Sequence, residues 1–200
     1  MLKQTELKIL ASFFPLAKDY TTREIETRSR YSHERAYTTL MDLVEQGYLV
    51  KRKTGKTYLF KLNIQRDVLF PYVYFQTERK ESFFLSVTPF VRNVLDDFIK
   101  KIESSDLVSV IIFGSYAKGE QREDSDVDVL CIVRKKYDID RVALSLRHKY
   151  DRKITPVVVL SEDFPNMRKD NPTFYEDLVE FGIVLYGIEP FYNLVYGETK

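Results

Sequence analysis

Apolar residues recur at Leu7, Ile9, Leu10, Phe13 and Phe14 with roughly helical spacing, and Pro15 closes the run because the residue before a proline resists helical geometry. This predicts a first helix. Thr21 and Thr22 can cap a second, short one through Ile25 to about Arg28, with Glu24 placed to favour its positive end. After a turn at Arg30 and Tyr31, Ser32 caps a third helix. Its expected buried stripe is Ala36, Leu40, Leu43 and Val44, its exposed face offers His33, Arg35, Tyr37 and Thr38, and Gly47 stops it at a left-handed position. Tyr48, Leu49 and Val50 then lead through Lys51 to Lys53 into Thr54-Gly55 and back from Tyr58 to Leu62. That pattern predicts a β-hairpin with a basic tip.

Residues 67–84 are rich in aromatics, including Phe70, Tyr72, Tyr74, Phe75, Phe83 and Phe84, around a charged patch from Glu78 to Glu81. They read as a connector, partly helical after Pro71. So many rings must be packed, whether in an interface between domains or in a dimer seam. A further helix is expected after Thr88, with Pro89 in its first turn and Val91, Val94, Leu95 and Ile99 along its length.

The candidate chemistry lies between two apolar β runs. The first, Leu107 to Phe113, ends in Gly114-Ser115; after ten intervening residues come Asp126-Val127-Asp128 and the second run, Val129 to Val133. Gly114 lets backbone approach a ligand, and Ser115 sits where strand turns into helix, so its hydroxyl and nearby amides can hold phosphate oxygens. Lys118 adds positive charge. Side chains alternate along a strand, so Asp126 and Asp128 project from one face about 7 Å apart, placed to share magnesium ions with a triphosphate. Read instead as solvent-facing residues of an edge strand, the same pair leaves two like charges uncompensated.

Charge divides the chain near Arg66. Residues 1–66 carry 13 Lys and Arg against 7 Asp and Glu, a net +6, and residues 67–200 carry 18 against 23, a net −5. A basic head suits a polyanionic partner. Cys131 is the single cysteine and, inside an apolar run, reads as a buried small residue; His33 and His148 do not form a zinc-ligand cluster. No stretch approaches the ~20 apolar residues of a membrane helix, and no signal-peptide pattern opens the chain, so a cytoplasmic location without membrane attachment is expected.

The stretch from Tyr31 to Leu62, with the helices before it, resembles the winged helix-turn-helix family. The resemblance implies that helix three enters the major groove of double-stranded DNA while the wing touches its backbone. His33, Arg35, Tyr37, Lys51, Lys53 and Lys56 are the DNA-facing candidates. A homodimer on paired half-sites is expected by the same analogy.

Residues 105 to 187, with Phe113-Gly114-Ser115-Tyr116-Ala117-Lys118-Gly119, Ser125-Asp126-Val127-Asp128 and a closing Gly182-Ile183-Val184-Leu185-Tyr186-Gly187, resemble the nucleotidyltransferase superfamily typified by DNA polymerase beta, in its minimal branch. The resemblance implies Asp126 and Asp128 as catalytic residues and ligands of at most two Mg²⁺ ions. It also implies Gly114, Ser115, Lys118 and Ser125 around the NTP. A third carboxylate of the family falls on Thr155 here, within Ile154 to Leu160, and the nearest acids, Asp151 and Glu162, lie outside that strand. Threonine is no base near neutral pH and a poorer metal ligand.

Together these readings imply an α+β chain: a winged helix of three helices and a β-hairpin over 1–66, a connector over 67–88, and over 89–200 a nucleotidyltransferase-fold α/β domain with a small mixed sheet. Two functions remain open. One is a DNA-binding nucleotidyltransferase acting on an unknown acceptor; the other is a transcriptional regulator whose inactive nucleotidyltransferase fold serves as nucleotide sensor or dimerisation module.

Overall fold

A computed structural model describes residues 2–16, 18–63, 65–150 and 153–197. Asp151 therefore lies outside the described residues. The fold is mixed α/β, with two compact units dividing between Thr77 and Glu78.

The first unit runs α1 (Gln4–Ala11), β1 (Tyr20–Thr21), α2 (Thr22–Ser29), α3 (His33–Glu45), then a hairpin of β2 (Leu49–Thr54) and β3 (Thr57–Leu62). Thr21 caps α2 as the sequence suggests, and its reciprocal partner is Glu24, whose carboxylate accepts from the Thr21 amide at 2.7 Å. Arg30 ends that helix in the left-handed region at φ +58°. Ser32 takes the N-cap position of α3, but its side chain makes no capping bond. The buried face of α3 is Ala36, Thr39, Leu40 and Leu43; Thr39 replaces the expected Val44, which sits half-buried at the margin. Gly55, at φ +61°, begins the two-residue hairpin tip between paired Thr54 and Thr57. β1, too short to leave a periodic signal, pairs antiparallel with β3 to give the order β1-β3-β2. Ile9, Leu10, Phe13, Ile25, Leu40, Leu43 and Phe60 are fully enclosed.

The aromatic stretch forms one helix, α4 (Leu69–Ser86), inside which the two units divide. Its rings are shared out: Tyr72 packs edge-on against Phe14 at 5.2 Å in the first unit, while Phe83 joins the core of the second. Phe70 remains exposed.

In the second unit, α5 (Pro89–Ile102), capped by Thr88, leads into β4 (Leu107–Ile112), α6 (Gly114–Lys118), β5 (Val127–Val133), α7 (Ile139–Tyr150) and β6 (Ile154–Leu160). A 3₁₀ turn (Phe164–Asn166), α8 (Met167–Asp170), α9 (Pro172–Phe181), β7 (Ile183–Tyr186) and α10 (Ile188–Tyr196) follow. The sheet order is β6-β5-β4-β7, with β5 and β6 parallel across α7 and the other pairs antiparallel. Every residue of β4 is buried, as expected for a strand covered on both faces. On α5 the buried stripe includes Phe98, with the expected Ile99 only half-buried.

Val127, Val129, Cys131 and Val133 pack with the apolar stripes of α5 and α7. Burial pushes the Cys131 thiol up to about 12, which removes it from thiolate chemistry. Because side chains alternate along β5, Asp128 faces away from that core. Asp97 of α5 accepts hydrogen bonds from Lys149 (2.7 Å) and Tyr150 (2.6 Å), tying the two helices together beneath the sheet. No helix among the described residues is long and apolar enough to cross a membrane.

Candidate active site

The site is built where β4 ends. The Phe113 amide donates to the Asp128 carbonyl at 3.1 Å, which pins the end of β4 alongside the start of β5. Gly114 then turns the chain at φ +69°, so close to the carboxylate that a Cβ placed there would lie 2.7 Å from Asp128 Oδ2. The glycine-serine bend and one acid of the pair are thus direct neighbours.

The second acid is held from β6. Lys153 Nζ donates to Asp126 Oδ2 at 2.5 Å, and the Lys153 carbonyl accepts from the Val127 amide at 3.0 Å. In the parallel register Val127 pairs with Ile154 and Asp128 with Thr155. Stepping back one residue on each strand sets Asp126 beside Lys153. Two rungs result, one carboxylate with ammonium and one carboxylate with hydroxyl, on the face opposite α5 and α7.

The electrostatics agree. Half-burial lifts the Asp128 carboxyl above its ordinary value, the charge of Asp126 lifts it further, and Lys153 offsets part of the rise. A bound divalent cation would reverse both penalties. Gln121 Oε1, in the loop leading to Asp126, and Thr155 Oγ1 are buried side-chain atoms without a hydrogen-bond partner. An unsatisfied buried polar atom costs ~1–3 kcal/mol, so Thr155 Oγ1, on the residue paired in register with Asp128, fits a site that receives a polar ligand. The donor set suits a hard cation bound through oxygen. No group of three or more His, Cys, Asp or Glu side chains placed to hold a metal occurs among the described residues.

Of the other expected site residues, Ser115 is half-buried in the first turn of α6, and Ser125 accepts from the Arg122 amide at 2.8 Å, shaping the loop before Asp126. Lys118 is paired within the unit. Its ammonium meets Asp177 of α9 at 2.6 Å and lies 5.1 Å from the centre of the Phe181 ring. Sequence reasoning missed Lys153. The available signal was the parallel alignment itself, because Lys153 precedes β6 by one residue as Asp126 precedes β5.

In the first unit, His33, Arg35 and Tyr37 are all exposed on α3, His33 and Tyr37 on one flank and Arg35 on the other. His33 Nδ1 lies 2.5 Å from Glu26 and its ring stacks on Tyr37, while Arg35 lies over Tyr31 at 4.4 Å and donates to Thr5. Lys51 rests over Tyr58 at 4.9 Å, on the hairpin that also carries the exposed Lys53 and, at its tip, Lys56. Basic and aromatic side chains are thus exposed both on α3 and on the hairpin.

One acid of the pair, Asp128, thus lies against the glycine-serine bend on a mixed sheet, and comparison with known proteins places the domain. A family model described as nucleotidyltransferase domain matches residues 91–183. Three Methanocaldococcus jannaschii proteins, each provisionally named a protein adenylyltransferase, are similar. The first is 34% identical over 47% of this chain and 71% of its own length; the second 38% over 32% and 75%; the third 34% over 46% and 94%. The chain belongs to the nucleotidyltransferase domain family. Among solved structures, TrmBL2, an archaeal chromatin protein described as having a novel mode of DNA binding, aligns over 86% of this chain and 71% of its own. Its TM-score of 0.30 and 14% identity are too low to carry any argument.

Proposed function

We propose that the second unit is a nucleotidyltransferase centre that binds a nucleoside triphosphate with a divalent cation, Mg²⁺ being the expected ion, on Asp126 and Asp128. Gly114 and Ser115 brace phosphate oxygens at the bend, and Ser125 orders the loop that carries Asp126. When bound, the metal neutralises the polyphosphate and polarises the α-phosphoryl group. In the transfer, an acceptor oxygen bonds to the α-phosphorus, the bond from that phosphorus to the bridging oxygen breaks, pyrophosphate leaves, and the acceptor's proton passes to solvent. The names of the M. jannaschii relatives favour adenylyl transfer, with ATP as donor and a protein as acceptor. The observation that carries the reading is the approach of Gly114 to Asp128. Incubation with γ-labelled ATP, Mg²⁺ and candidate acceptor proteins is expected to yield labelled pyrophosphate together with an adenylylated product.

Thr155 favours a second reading. Opposite Asp128 this chain places a hydroxyl where the family resemblance suggests a third carboxylate, which suits a domain that binds nucleotide as a sensor and turns it over poorly. Saturable Mg²⁺-ATP binding without pyrophosphate release, with any acceptor, would decide for it.

For the first unit we propose a winged helix that binds double-stranded DNA as a homodimer. Residues 1–66 would serve as the DNA-binding domain, 67–88 as connector and 89–200 as catalytic domain. Three helices followed by an antiparallel hairpin support this, as does the exposure of His33, Arg35 and Tyr37 on α3 and of Lys53 and Lys56 on the hairpin. Changing Lys51, Lys53 and Lys56 together to Ala is expected to flatten the slope of log affinity against log salt by roughly 2 to 3, at about 0.9 per phosphate contact. Fluorescence anisotropy on duplex DNA from 50 to 200 mM salt, roughly the range over which such contacts are lost, measures it. An unchanged slope would remove the wing from the interface.

A further inference from the structure

We infer that Lys153 is a tethered counter-ion of this site: it competes with a divalent cation for Asp126 and, once displaced, gives its ammonium to the anionic oxygens of the bound polyphosphate. The inference rests on the metal-site reading above.

Three observations carry it. The ammonium sits 2.5 Å from Asp126 Oδ2, one of the two oxygens this carboxylate could offer a metal. The backbone of Lys153 is fixed by the bond from the Val127 amide, so the side chain stays beside the site whatever its charge is paired with. Finally Lys118, the cation expected at the bend, is occupied by Asp177 and Phe181.

Magnitudes favour an exchange. The side chains of Lys153 and Asp126 are 47% and 39% exposed, so solvent screens their ion pair and it contributes little. A dication attracts both carboxylates with twice the charge and wins Asp126. The four-carbon stem of lysine can then swing its ammonium several ångströms without backbone movement. Lys153 is on this view a positioning residue with effects of opposite sign on two ligands. It weakens binding of the bare metal and strengthens binding of the metal-nucleotide.

Calorimetry with Mn²⁺ alone, and with Mn²⁺ plus a non-hydrolysable ATP analogue, tests this on the full chain. Lys153→Met is expected to bind Mn²⁺ roughly three- to tenfold more tightly and the Mn²⁺-analogue complex weaker by a similar factor. Lys153→Arg should behave like wild type in both titrations, a rescue that a packing role for the stem would not require. Lys153→Gln provides a second neutral variant should the methionine protein fold poorly. Neutral variants that shift both affinities in one direction, or neither, overturn the inference. If they match wild type while Asp126→Asn with Asp128→Asn binds no Mn²⁺, the metal site stands and Lys153 alone is wrongly assigned. If wild type and neutral variants all fail to bind Mn²⁺, the metal-site reading falls and takes this inference with it.

Discussion

Replacing Asp126 and Asp128 together with Asn is expected to abolish metal-dependent ATP binding and to lower pyrophosphate release by at least about 100-fold, without lowering the melting temperature. Loss of a group that merely orients a metal ligand costs about 10- to 100-fold, and loss of both carboxylate ligands should exceed that. The stability half of the prediction follows from sign. Asp128 has its carboxyl raised by half-burial first and by Asp126 second, so the folded chain binds that proton more tightly than the unfolded chain does. Above the raised pKa, keeping the group ionised therefore costs folding energy, a penalty relieved as pH falls through it. Asparagine removes that charge at every pH. The variant does lose the Lys153 ion pair, but that pair is solvent-screened and worth little. Calorimetry with Mg²⁺-ATP and thermal melts near neutral pH check both halves. Unchanged nucleotide affinity would reject the assigned role, and a melting temperature several degrees lower would show that the acids support the fold instead.

Much of this layout is legible in the residues, for identifiable reasons. The continuous apolar runs that become β4 and β5 are legible because each is short, rich in Val and Ile and suited to a strand buried on both faces. Thr21 with Glu24, and Thr88 before Pro89, announce helix starts through local hydrogen bonding alone. What escapes depends on pairing between distant segments. β1 exists because two residues meet β3, the burial of Thr39 reflects how α3 is rotated on its neighbours, and Lys153 enters the site only through the β5–β6 register. Lys118 shows the reverse case. Its position in the sequence suits a phosphate, yet Asp177, nearly sixty residues away, faces it from α9 and takes the charge.

The closeness of the bend to the acid can be tested apart from the acid itself. Gly114 and Gly119 both hold left-handed backbone, at φ +69° and +73°. Alanine at either should cost about 1–2 kcal/mol of stability and lower Tm by a few degrees. They differ in surroundings: nothing lies within 4 Å of a Cβ at Gly119, whereas at Gly114 it would stand 2.7 Å from Asp128 Oδ2 and force the carboxylate aside. Gly119→Ala is therefore expected to keep Mg²⁺-ATP affinity within about twofold, and Gly114→Ala to lose at least about tenfold, although both proteins fold and melt cooperatively. The matched backbone cost makes the comparison a measure of what the methyl does at the bend, to the Asp128 carboxylate and to the approach of phosphate, apart from strain in the turn. Equal affinities in the two variants would mean that the carboxylate beside the bend does not hold the ligand, and the site would have to be sought elsewhere on the sheet.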